Sequence, residues 1–519
     1  MAPGVSSKEV PKSIIRQALS MSLGTFSSRI LGLIRDMALA ALFSRGITDA
    51  WTAAFRLPNL FRRLFGEGSL SVSFIPVFVE ARMESPARAH NLANGFYTLL
   101  LVFLAILTAL GILLADPIMR LLLDADYGPE KLVITVRMAR IMFSFVFFIT
   151  TYAYFMGILN ALGKFALPAM APTLFNISMI LSTLIPGSAF AFEGDGLAWG
   201  VLIGGALQMG ILIPALRRLG ALPRFQWTGM SADIRKVLRN MVPGLLGMGL
   251  LQFVTIVNLK YASGLGDGAI SYIYWADRLL ELPLSLVSVS LGTALLPTLA
   301  ALWSKGQREQ MSETVNYYLR LNLFIAIPAA LGLFFLARPI VEVLFMRGQF
   351  NTADAEATAT VLRVYAWLLV ATSGVRVLVP AYYAIQNTWF PAIAAGTALL
   401  LHIVLAPVLM KSWGLEGLVI SSFVSAAVNM AALLGAYGKY IGVFDFSKFI
   451  QQVFKFTLAA VVMAVVLQLH PLLQAQVGEA VMAKIVILAV TIALGAATYG
   501  GMSFVLKLEE LQALKKIKK

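Results

Sequence analysis

The sequence of 519 residues contains no cysteine, only three histidines and few charged residues, which make up 13% of the chain. The absence of cysteine excludes disulfide bonds, thiolate catalysis and cysteine-ligated metals. The histidines, at positions 90, 402 and 470, are too scattered to predict a histidine-based metal site. No Walker-type phosphate-binding loop occurs, so ATP is not the evident energy source. We therefore predict a protein that uses no metal or cofactor and is not an enzyme.

Apolar residues are correspondingly abundant. Hydrophobic residues make up 59% of the chain, whereas a soluble domain has about 45–50% apolar and about 25% charged residues. Apolar runs that can cross the roughly 30 Å hydrocarbon core together with their neighbours recur along the whole sequence. Examples are 99–114, 245–257, 323–336 and 485–497. Because these runs lack the alternation of an outer-membrane barrel, they predict an all-α polytopic membrane protein.

Polar, glycine and proline residues divide the chain into about fourteen predicted transmembrane helices. The predicted spans are 15–44, 50–82, 91–123, 132–161, 168–187, 196–217, 236–262, 270–303, 313–346, 355–386, 390–410, 415–438, 448–470 and 480–507. Since this number is even, both termini are expected on the same side of the membrane. The first apolar segment is too long, and too interrupted by charge, for a cleaved signal peptide.

The formal net charge of +15 arises from basic residues that fall in alternate connections. One side carries Lys8, Lys12, Arg16, Arg82, Arg88, Lys164, Arg217, Arg218, Arg224, Arg235, Lys236, Arg239, Lys305, Arg308, Lys439, Lys448, Lys515, Lys516, Lys518 and Lys519. The other side carries the acidic residues Asp124, Asp126, Glu193, Asp195, Asp267, Asp354 and Glu479. The positive-inside rule places the basic side, and so both termini, in the cytoplasm. Since the basic residues form no patch with interleaved aromatics, we do not predict nucleic-acid binding.

An internal repeat relates the two halves of the chain. "FIPVFVEAR" at 74–82 resembles "LLPTLAALW" at 295–303, "ADPIMRLLL" at 115–123 resembles "ARPIVEVLF" at 337–345, and "ALGKFALPAMA" at 161–171 resembles "AIQNTWFPAIA" at 384–394. Each proline recurs about 222 residues later, a spacing of six predicted helices. The repeat predicts two six-helix lobes, 1–218 and 219–440, in a parallel pseudo-twofold arrangement with the substrate site at their interface. The remaining segment, 441–519, holds two further helices and a basic tail.

The first predicted helix carries charge in the middle of an apolar segment, "SSRILGLIRDMALAALF". A charged residue at the centre of a membrane span costs roughly 2.5–3.5 kcal/mol on the insertion scale, so Arg29, Arg35 and Asp36 need compensation or a function. Gly24, Ser28 and Gly32 form a stripe of small residues on one face of the same helix, where a backbone or a ligand can approach closely.

Further arginines occur in the second and eighth predicted helices. The second contains "FRLPNLFRRLFGEGSLSVSF", with Arg56 and Arg62, and with Arg63 four residues before Glu67. The eighth contains "YWADRLLELP", in which Asp277 and Glu281 bracket Arg278 within about one turn. The candidate substrate-binding residues are Arg29, Arg35, Arg56, Arg62 and Arg278, and the candidate gate or ion-pair residues are Asp36, Asp49, Glu67, Asp277 and Glu281.

The five arginines outweigh Asp36, Glu67, Asp277 and Glu281 at the predicted interface. Such a surplus of arginine suits an anionic phosphate or pyrophosphate ligand, because one guanidinium can bind two oxygens at once. The alternative is a set of structural ion pairs, with some arginines extending to the membrane interface. Asn176 and Asn258 are expected to satisfy helix packing rather than to bind an ion.

Four longer motifs of the chain are "FSSRILGLIRDMALAALF", "TDAWTAAFRLPNLFRRLFGEGSLSVSFIPVF", "LPAMAPTLFNISMI" and "YIYWADRLLELPLSLVSVSLGTALLP". In order and spacing they resemble the MurJ/MviN family of lipid II flippases. The resemblance implies a member of the multidrug/oligosaccharidyl-lipid/polysaccharide exporter superfamily. It also implies two C-terminal helices that form a groove for a polyprenyl tail, and a multi-pass protein of the bacterial cytoplasmic (inner) membrane.

The resemblance further implies a function in peptidoglycan and cell wall biogenesis. Lipid II, the undecaprenyl-pyrophosphate-linked precursor, would move from the inner to the outer leaflet by alternating access. The central-cavity arginines of the family fall on Arg29, Arg35 and Arg278, and its arginine of the second helix falls on Arg62. Its acidic residues near the lateral opening fall on Asp36, Asp49, Glu67 and Glu281. Arg56 departs from relatives that carry lysine there, but the charge is kept.

Other readings stay open at this point. One is a flippase for another polyprenyl-linked glycan, and another is a multidrug exporter of the same fold, although an exporter of organic cations should have acidic cavity residues. An intramembrane enzyme would need a convergent acid, base or metal cluster, and a scaffold would tolerate neutral residues in place of the arginines.

The expected partners are lipid II, membrane lipids and cell-wall synthesis or division proteins, and we expect a monomer. The residues do not choose between membrane potential and an ion as the energy source.

Overall fold

The computed structural model describes residues 12–476 and 480–511, except for the side chains of 12–23, 25, 66–69, 71–72, 243–244, 246–251 and 286–294. Several residues used in the charge argument therefore lie outside the described residues, in whole or in their side chains. These are Lys8, Lys12, Arg16, Glu479, Lys515, Lys516, Lys518 and Lys519. The side chain of Glu67 also lies outside them.

Throughout the described ranges the regular structure is helical, so the predicted all-α fold is confirmed. The α-helices are α1 (Lys12–Leu42), α2 (Arg45–Phe61), α3 (Leu70–Glu84), α4 (Pro86–Leu113), α5 (Ala115–Leu122), α6 (Pro129–Ala161), α7 (Ala166–Met170), α8 (Pro172–Thr183), α9 (Asp195–Gly210), α10 (Ile213–Arg218), α11 (Ala232–Ser263), α12 (Ala269–Ser304), α13 (Arg308–Phe335), α14 (Ala337–Phe345), α15 (Thr352–Ala384), α16 (Trp389–Gly435), α17 (Tyr437–Tyr440), α18 (Phe446–Leu467), α19 (His470–Ala475) and α20 (Val481–Val505). A π-helix (Arg62–Ser69) joins α2 to α3, and short 3₁₀ turns occupy Ala125–Tyr127 and Gly187–Ala189.

Nine helical segments within the described residues are long and apolar enough to cross a membrane, which makes the chain a multi-pass membrane protein. The count of fourteen spans stays a prediction. The longest segment, α16, contains Gly414 with φ 49° and ψ −126°, a backbone conformation that breaks the helix. The break separates 389–413 from 415–435, which match the predicted spans 390–410 and 415–438.

The chain divides into two compact units, Met1–Gln252 and Phe253–Lys519. In the first unit an aromatic cluster joins α2, α6 and α8, since the ring of Phe145 in α6 lies 5.6 Å from that of Phe55 and 5.5 Å from that of Phe175, measured between centroids. In the second unit Trp275 packs 5.2 Å from Phe350. The predicted division into lobes 1–218 and 219–440 and a C-terminal segment 441–519 stays a prediction.

The same succession of helix lengths occurs in both units, as the predicted repeat requires. In the first unit α4 has 28 residues, the short α5 follows, and α6 has 33. In the second unit α13 has 28 residues, the short α14 follows, and α15 has 33. Pro117 and Pro339 take equivalent places in the first turns of the two short helices, where a missing N–H costs little.

The two C-terminal membrane helices pack against the core of the second unit. Phe324 of α13 lies 5.5 Å from Phe456 of α18 and 5.2 Å from Tyr499 of α20, measured between ring centroids. The Tyr499 hydroxyl donates a hydrogen bond to the carbonyl oxygen of Phe324 at 2.7 Å. The segment outside the repeat is therefore part of this unit's hydrophobic core.

Candidate substrate-binding arginines

The small-residue stripe of α1 allows a close helix contact, one of the two uses predicted for it. A Cβ atom at Gly24 would lie 3.1 Å from the backbone of Ala169 in α7. Gly32, two turns further along α1, is also buried. This close approach places α1 beside α7 and α8, the helices that supply the neighbours of its charged residues.

Arg35 and Asp36 form a buried ion pair on α1, with 5% and 0% of their surface exposed. Arg35 donates from Nε and Nη2 to the Oδ1 atom of Asp36, at 3.0 and 2.7 Å. Its Nη1 donates to Oδ1 of Asn176 in α8 at 3.2 Å, and its guanidinium lies 5.9 Å from the ring of Phe175. An adjacent acid and a remote amide thus compensate for the charge that α1 carries in its apolar segment.

Asn176 completes this network by bonding back to α1. Its Nδ2 donates to the carbonyl oxygen of Ser28 at 2.8 Å and lies 3.3 Å from the Ser28 hydroxyl. The packing role expected for Asn176 is therefore present, and the amide also holds the Arg35 guanidinium. Arg29, in contrast, is exposed on α1, so the two predicted arginines of this helix have different environments.

Asp49 lies at the start of α2 and is completely buried. Lys131 of α6 approaches it, with 3.6 Å between Nζ and Oδ2, and also lies 4.3 Å above the ring of Tyr127. Sequence reasoning missed Lys131, which is 82 positions away from its acid. One feature of the sequence could have indicated Lys131: it directly follows the acidic connection that contains Asp124 and Asp126.

The arginines of the second predicted helix lie around the π-helix. Arg56, Arg62 and Arg63 are half-buried, and Arg62 donates from Nε to Oδ1 of Asn59 at 2.8 Å. In a π-helix the backbone hydrogen bonds join residues five apart, and such helices are frequent at functional sites. The α-helical rule that side chains four residues apart can pair therefore does not apply to Arg63 and Glu67. That pair stays a prediction, since the side chain of Glu67 is not described.

Arg278 lies on α12 and pairs with Glu281 one turn later. The distance from Nη1 to Oε2 is 3.0 Å, and the two side chains are 33% and 40% exposed. Asp277 is half-buried. Buried contacts fix this part of α12: Trp275 packs on Phe350, and the Tyr272 hydroxyl donates to Oδ1 of Asp354 at 2.6 Å.

The predicted residues thus fall into separate local groups. In the first unit Arg35 joins Asp36, and Asp49 joins Lys131, while in the second unit Arg278 joins Glu281. Arg29 and Arg278 expose more of their surface than Arg35 does. The roles assigned to all the candidate residues stay predictions.

Known structures share this fold. A structure described as lipid II flippase MurJ in an inward closed conformation aligns with a TM-score of 0.77 and 26% identity, covering 94% of this chain and 98% of that one. An inward-facing multidrug resistance transporter of the MATE family and MOP superfamily aligns with a TM-score of 0.68 and 17% identity, covering 85% of this chain and 99% of that one. The second likeness concerns the fold alone.

Similarity in sequence is more specific. A protein of Bdellovibrio bacteriovorus named probable lipid II flippase MurJ is 53% identical over 513 residues, which cover 98% of each chain. The lipid II flippase MurJ of Burkholderia cenocepacia is 33% identical over 428 residues, or 81% of this chain and 83% of that one. The family model described as lipid II flippase MurJ matches residues 15–488. The chain therefore belongs to the MurJ family of lipid II flippases.

Proposed function

We propose that this protein moves lipid II from the inner to the outer leaflet of the bacterial cytoplasmic membrane. The observation that carries this proposal is the identity of 53%, over 98% of both chains, with a protein named probable lipid II flippase MurJ. The transport would proceed by alternating access, in which the binding site opens to one leaflet and then to the other.

The arginines supply the chemistry that the cargo needs. The head of lipid II carries a diphosphate, and guanidinium groups bind two phosphate oxygens in a planar, bidentate arrangement. Arg29 and Arg278, the more exposed of the three, are expected to contact the head group directly. Arg35 would exchange one of its present acceptors, Asp36 or Asn176, for a phosphate oxygen.

The remaining properties follow from the same proposal. Both termini would be cytoplasmic, the protein would act as a monomer without a cofactor, and membrane potential or an ion would supply the energy. Arg56 and Arg62 would extend the basic region, and the polyprenyl tail would stay in lipid along α18 and α20. Transport leaves the cargo chemically unchanged, so no catalytic residue is assigned.

Two other cargoes compete with lipid II. A different polyprenyl-linked glycan would present similar phosphates, and so the arginines alone do not distinguish it. A drug exporter is disfavoured because the candidate substrate-binding residues are all arginines, whereas an organic cation would require acidic partners.

The test is lipid II exposure in bacterial cells depleted of their own flippase. We would rescue these cells with the wild type, Arg29→Ala, Arg35→Ala or Arg278→Ala, and measure the lipid II accessible at the outer face. Arg120→Ala is the matched control, because Arg120 is 63% exposed and pairs only one turn away with Asp116. Immunoblots of the membrane fraction normalise each result to the amount of inserted protein.

We expect the wild type and Arg120→Ala to restore exposure, and the three other variants to restore little of it at equal protein levels. If the wild type fails to restore exposure, the cargo is not lipid II. If the wild type succeeds and the three variants match it, the cargo stands, but these arginines do not bind it.

A further inference from the structure

A buried polar cluster in the second unit has no role in the function proposed so far. At its centre is His402 of α16, which is 1% exposed although it lies within a candidate membrane span. It bonds to Asn258 of α11 and to Ser421, which follows the break at Gly414. Ionisable residues inside a membrane are costly, and they frequently mark proton pathways.

The first ring nitrogen faces a group that can only accept. Nε2 of His402 lies 2.9 Å from Oδ1 of Asn258. A carboxamide oxygen has no proton to give, so this contact is a hydrogen bond only when Nε2 carries the proton. Ser422 lies 3.4 Å from the same oxygen and 3.3 Å from the carbonyl oxygen of Leu418, and its hydroxyl can donate to either.

The second ring nitrogen also faces an acceptor. Nδ1 of His402 lies 2.9 Å from Oγ of Ser421. That hydroxyl has a single proton, which it donates to the carbonyl oxygen of Leu418 at 2.7 Å. While Ser421 makes that bond, only its lone pairs remain for the imidazole, so Nδ1 then also donates.

Donation from both nitrogens is the hydrogen-bonding pattern of a charged imidazolium. We propose that His402, Asn258 and Ser421 form a proton-binding site, and that the proton bound there is the ion that drives transport. This inference rests on the proposed flippase function, for which it names the coupling ion.

The surroundings allow the proton to leave as well as to bind. No carboxylate in the described part of the chain forms an ion pair with His402. On α11, Tyr261 donates to the carbonyl oxygen of Ile403 at 3.0 Å, and Lys260 is half-buried. The charged and titratable side chains on α15 are Asp354, which accepts from Tyr272, Arg363, which pairs with Glu356, the buried Tyr365 and Tyr382, and the exposed Arg376 and Tyr383. Near the break, Lys411 and Glu416 are exposed.

The neutral form needs only a local rearrangement. Ser421 can turn its hydroxyl toward Nδ1 and release the Leu418 carbonyl, or the Asn258 amide can turn its NH₂ group toward Nε2. Each change alters a contact between α11 and one part of α16, or between the two parts of α16 on either side of Gly414. Binding of one proton is thereby linked to the arrangement of three helical segments.

The protonation state can be measured directly, because the whole chain contains only three histidines. We would record ¹⁵N NMR spectra of histidine-labelled, full-length protein in nanodiscs between about pH 5 and about pH 9. The His402 signals are assigned by their absence in His402→Gln, or by their shift in Ser421→Ala if the first variant does not fold. We expect a ring protonated on both nitrogens at low pH that loses one proton within this range. A single neutral tautomer throughout would overturn the proposal.

The coupling is tested with fluorescent lipid II in proteoliposomes under an imposed pH gradient. One proton per cycle allows the lipid ratio between leaflets to change by up to about tenfold per pH unit, since one unit corresponds to about 1.4 kcal/mol. We expect the wild type to respond and His402→Gln not to respond. Ser421→Ala removes the acceptor at Nδ1 and should need a lower pH for the same response.

His470→Gln is the matched control, because His470 is also buried in the second unit, 4% exposed, and bonds to Thr491. It should respond like the wild type. Wild-type flipping that ignores the gradient, or a gradient response that survives in His402→Gln, overturns the coupling and leaves the proposed function intact. If the wild type does not flip lipid II at all, the proposed function is wrong, and the NMR titration alone supports or overturns the proton site.

Discussion

Individual side chains show how α1 accommodates charged residues within its apolar segment. The Arg35 guanidinium divides its donors between an adjacent carboxylate and an amide 141 positions away. Because the amide belongs to α8 and also bonds to Ser28 of α1, it supports both the charge and the helix contact. The arginines were visible in the sequence. The remote partner of Arg35, however, is a single asparagine in an apolar helix, and nothing in the local sequence links that asparagine to Arg35.

Replacing Asn176 with alanine should therefore weaken the first unit. The change removes an acceptor from Arg35 and a donor from the Ser28 carbonyl in a buried place, which costs about 1–3 kcal/mol. We expect a lower thermal unfolding midpoint for the purified full-length protein. Ile177→Ala is the control, since Ile177 is 37% exposed on the same helix. Equal midpoints for Asn176→Ala and the wild type would show that the bridge contributes nothing to stability.

Contacts between helices depend on a few small residues and terminal ion pairs. Gly24 is the clearest case, because a side chain there would meet the backbone of Ala169, which cannot move aside as a flexible side chain can. Replacing Gly24 with valine should separate α1 from α7 at a cost of about 1–3 kcal/mol from overpacking. Ser27→Val places the same β-branched residue at an exposed position of α1. Thermal unfolding should distinguish the two variants, and equal losses would mean that helix propensity, not packing, is responsible.

The N-terminal ends of α4 and α11 are joined by an ion pair between Arg88 and Asp233. Arg88 donates from Nε and Nη2 to the two carboxylate oxygens of Asp233, at 2.8 and 2.7 Å. This bond holds the pKa of Asp233, which precedes the predicted span 236–262, below its usual value. A lowered pKa in the folded state stabilises the protein above the unfolded value of about 3.9, and that stability is lost as the pH falls through the lowered pKa.

We therefore expect the thermal midpoint of the wild type to fall between about pH 5 and about pH 3, and to fall less in Asp233→Asn. Asp126→Asn, which changes an exposed carboxylate outside the long helices, should follow the wild type. Parallel curves for all three proteins would indicate that the Arg88–Asp233 pair does not contribute to the acid sensitivity.

Most helices could be predicted from apolar length and from glycine and proline, because these properties act locally. The predicted spans 132–161 and 270–303 correspond closely to α6 and α12. The π-helix at Arg62–Ser69 was not predicted, since its charged and glycine residues lie inside a single predicted span, 50–82. The pair of Asp49 with Lys131 was missed because it joins two helices that only tertiary packing brings together. The hydrogen bonds of His402 were missed for the same reason.

In the whole molecule, the segment beyond the repeat contributes to the core of the second unit. Phe324 of α13 contacts rings from both α18 and α20, and Phe456 is completely buried. A charged residue beyond α20 is also buried in this unit. The Oε1 atom of Glu510 lies 3.6 Å from Nε of Arg320 in α13. Both contacts involve α13, a helix that the repeat assigns to the second lobe. The second unit therefore needs α18 and α20 to bury the apolar surface of α13.

A chain that ends at residue 445 should consequently fail to form a stable second unit, because the face of α13 around Phe324 loses its partners in α18 and α20. We expect little folded protein in membranes, as measured by size-exclusion profiles after detergent extraction. Tyr499→Phe is the graded comparison, since it removes only the hydrogen bond to the Phe324 carbonyl, worth about 1 kcal/mol. It should extract normally with a slightly lower thermal midpoint. A truncated chain that elutes as a folded monomer would show instead that the last two helices are an accessory, and their role would then be confined to the lipid tail.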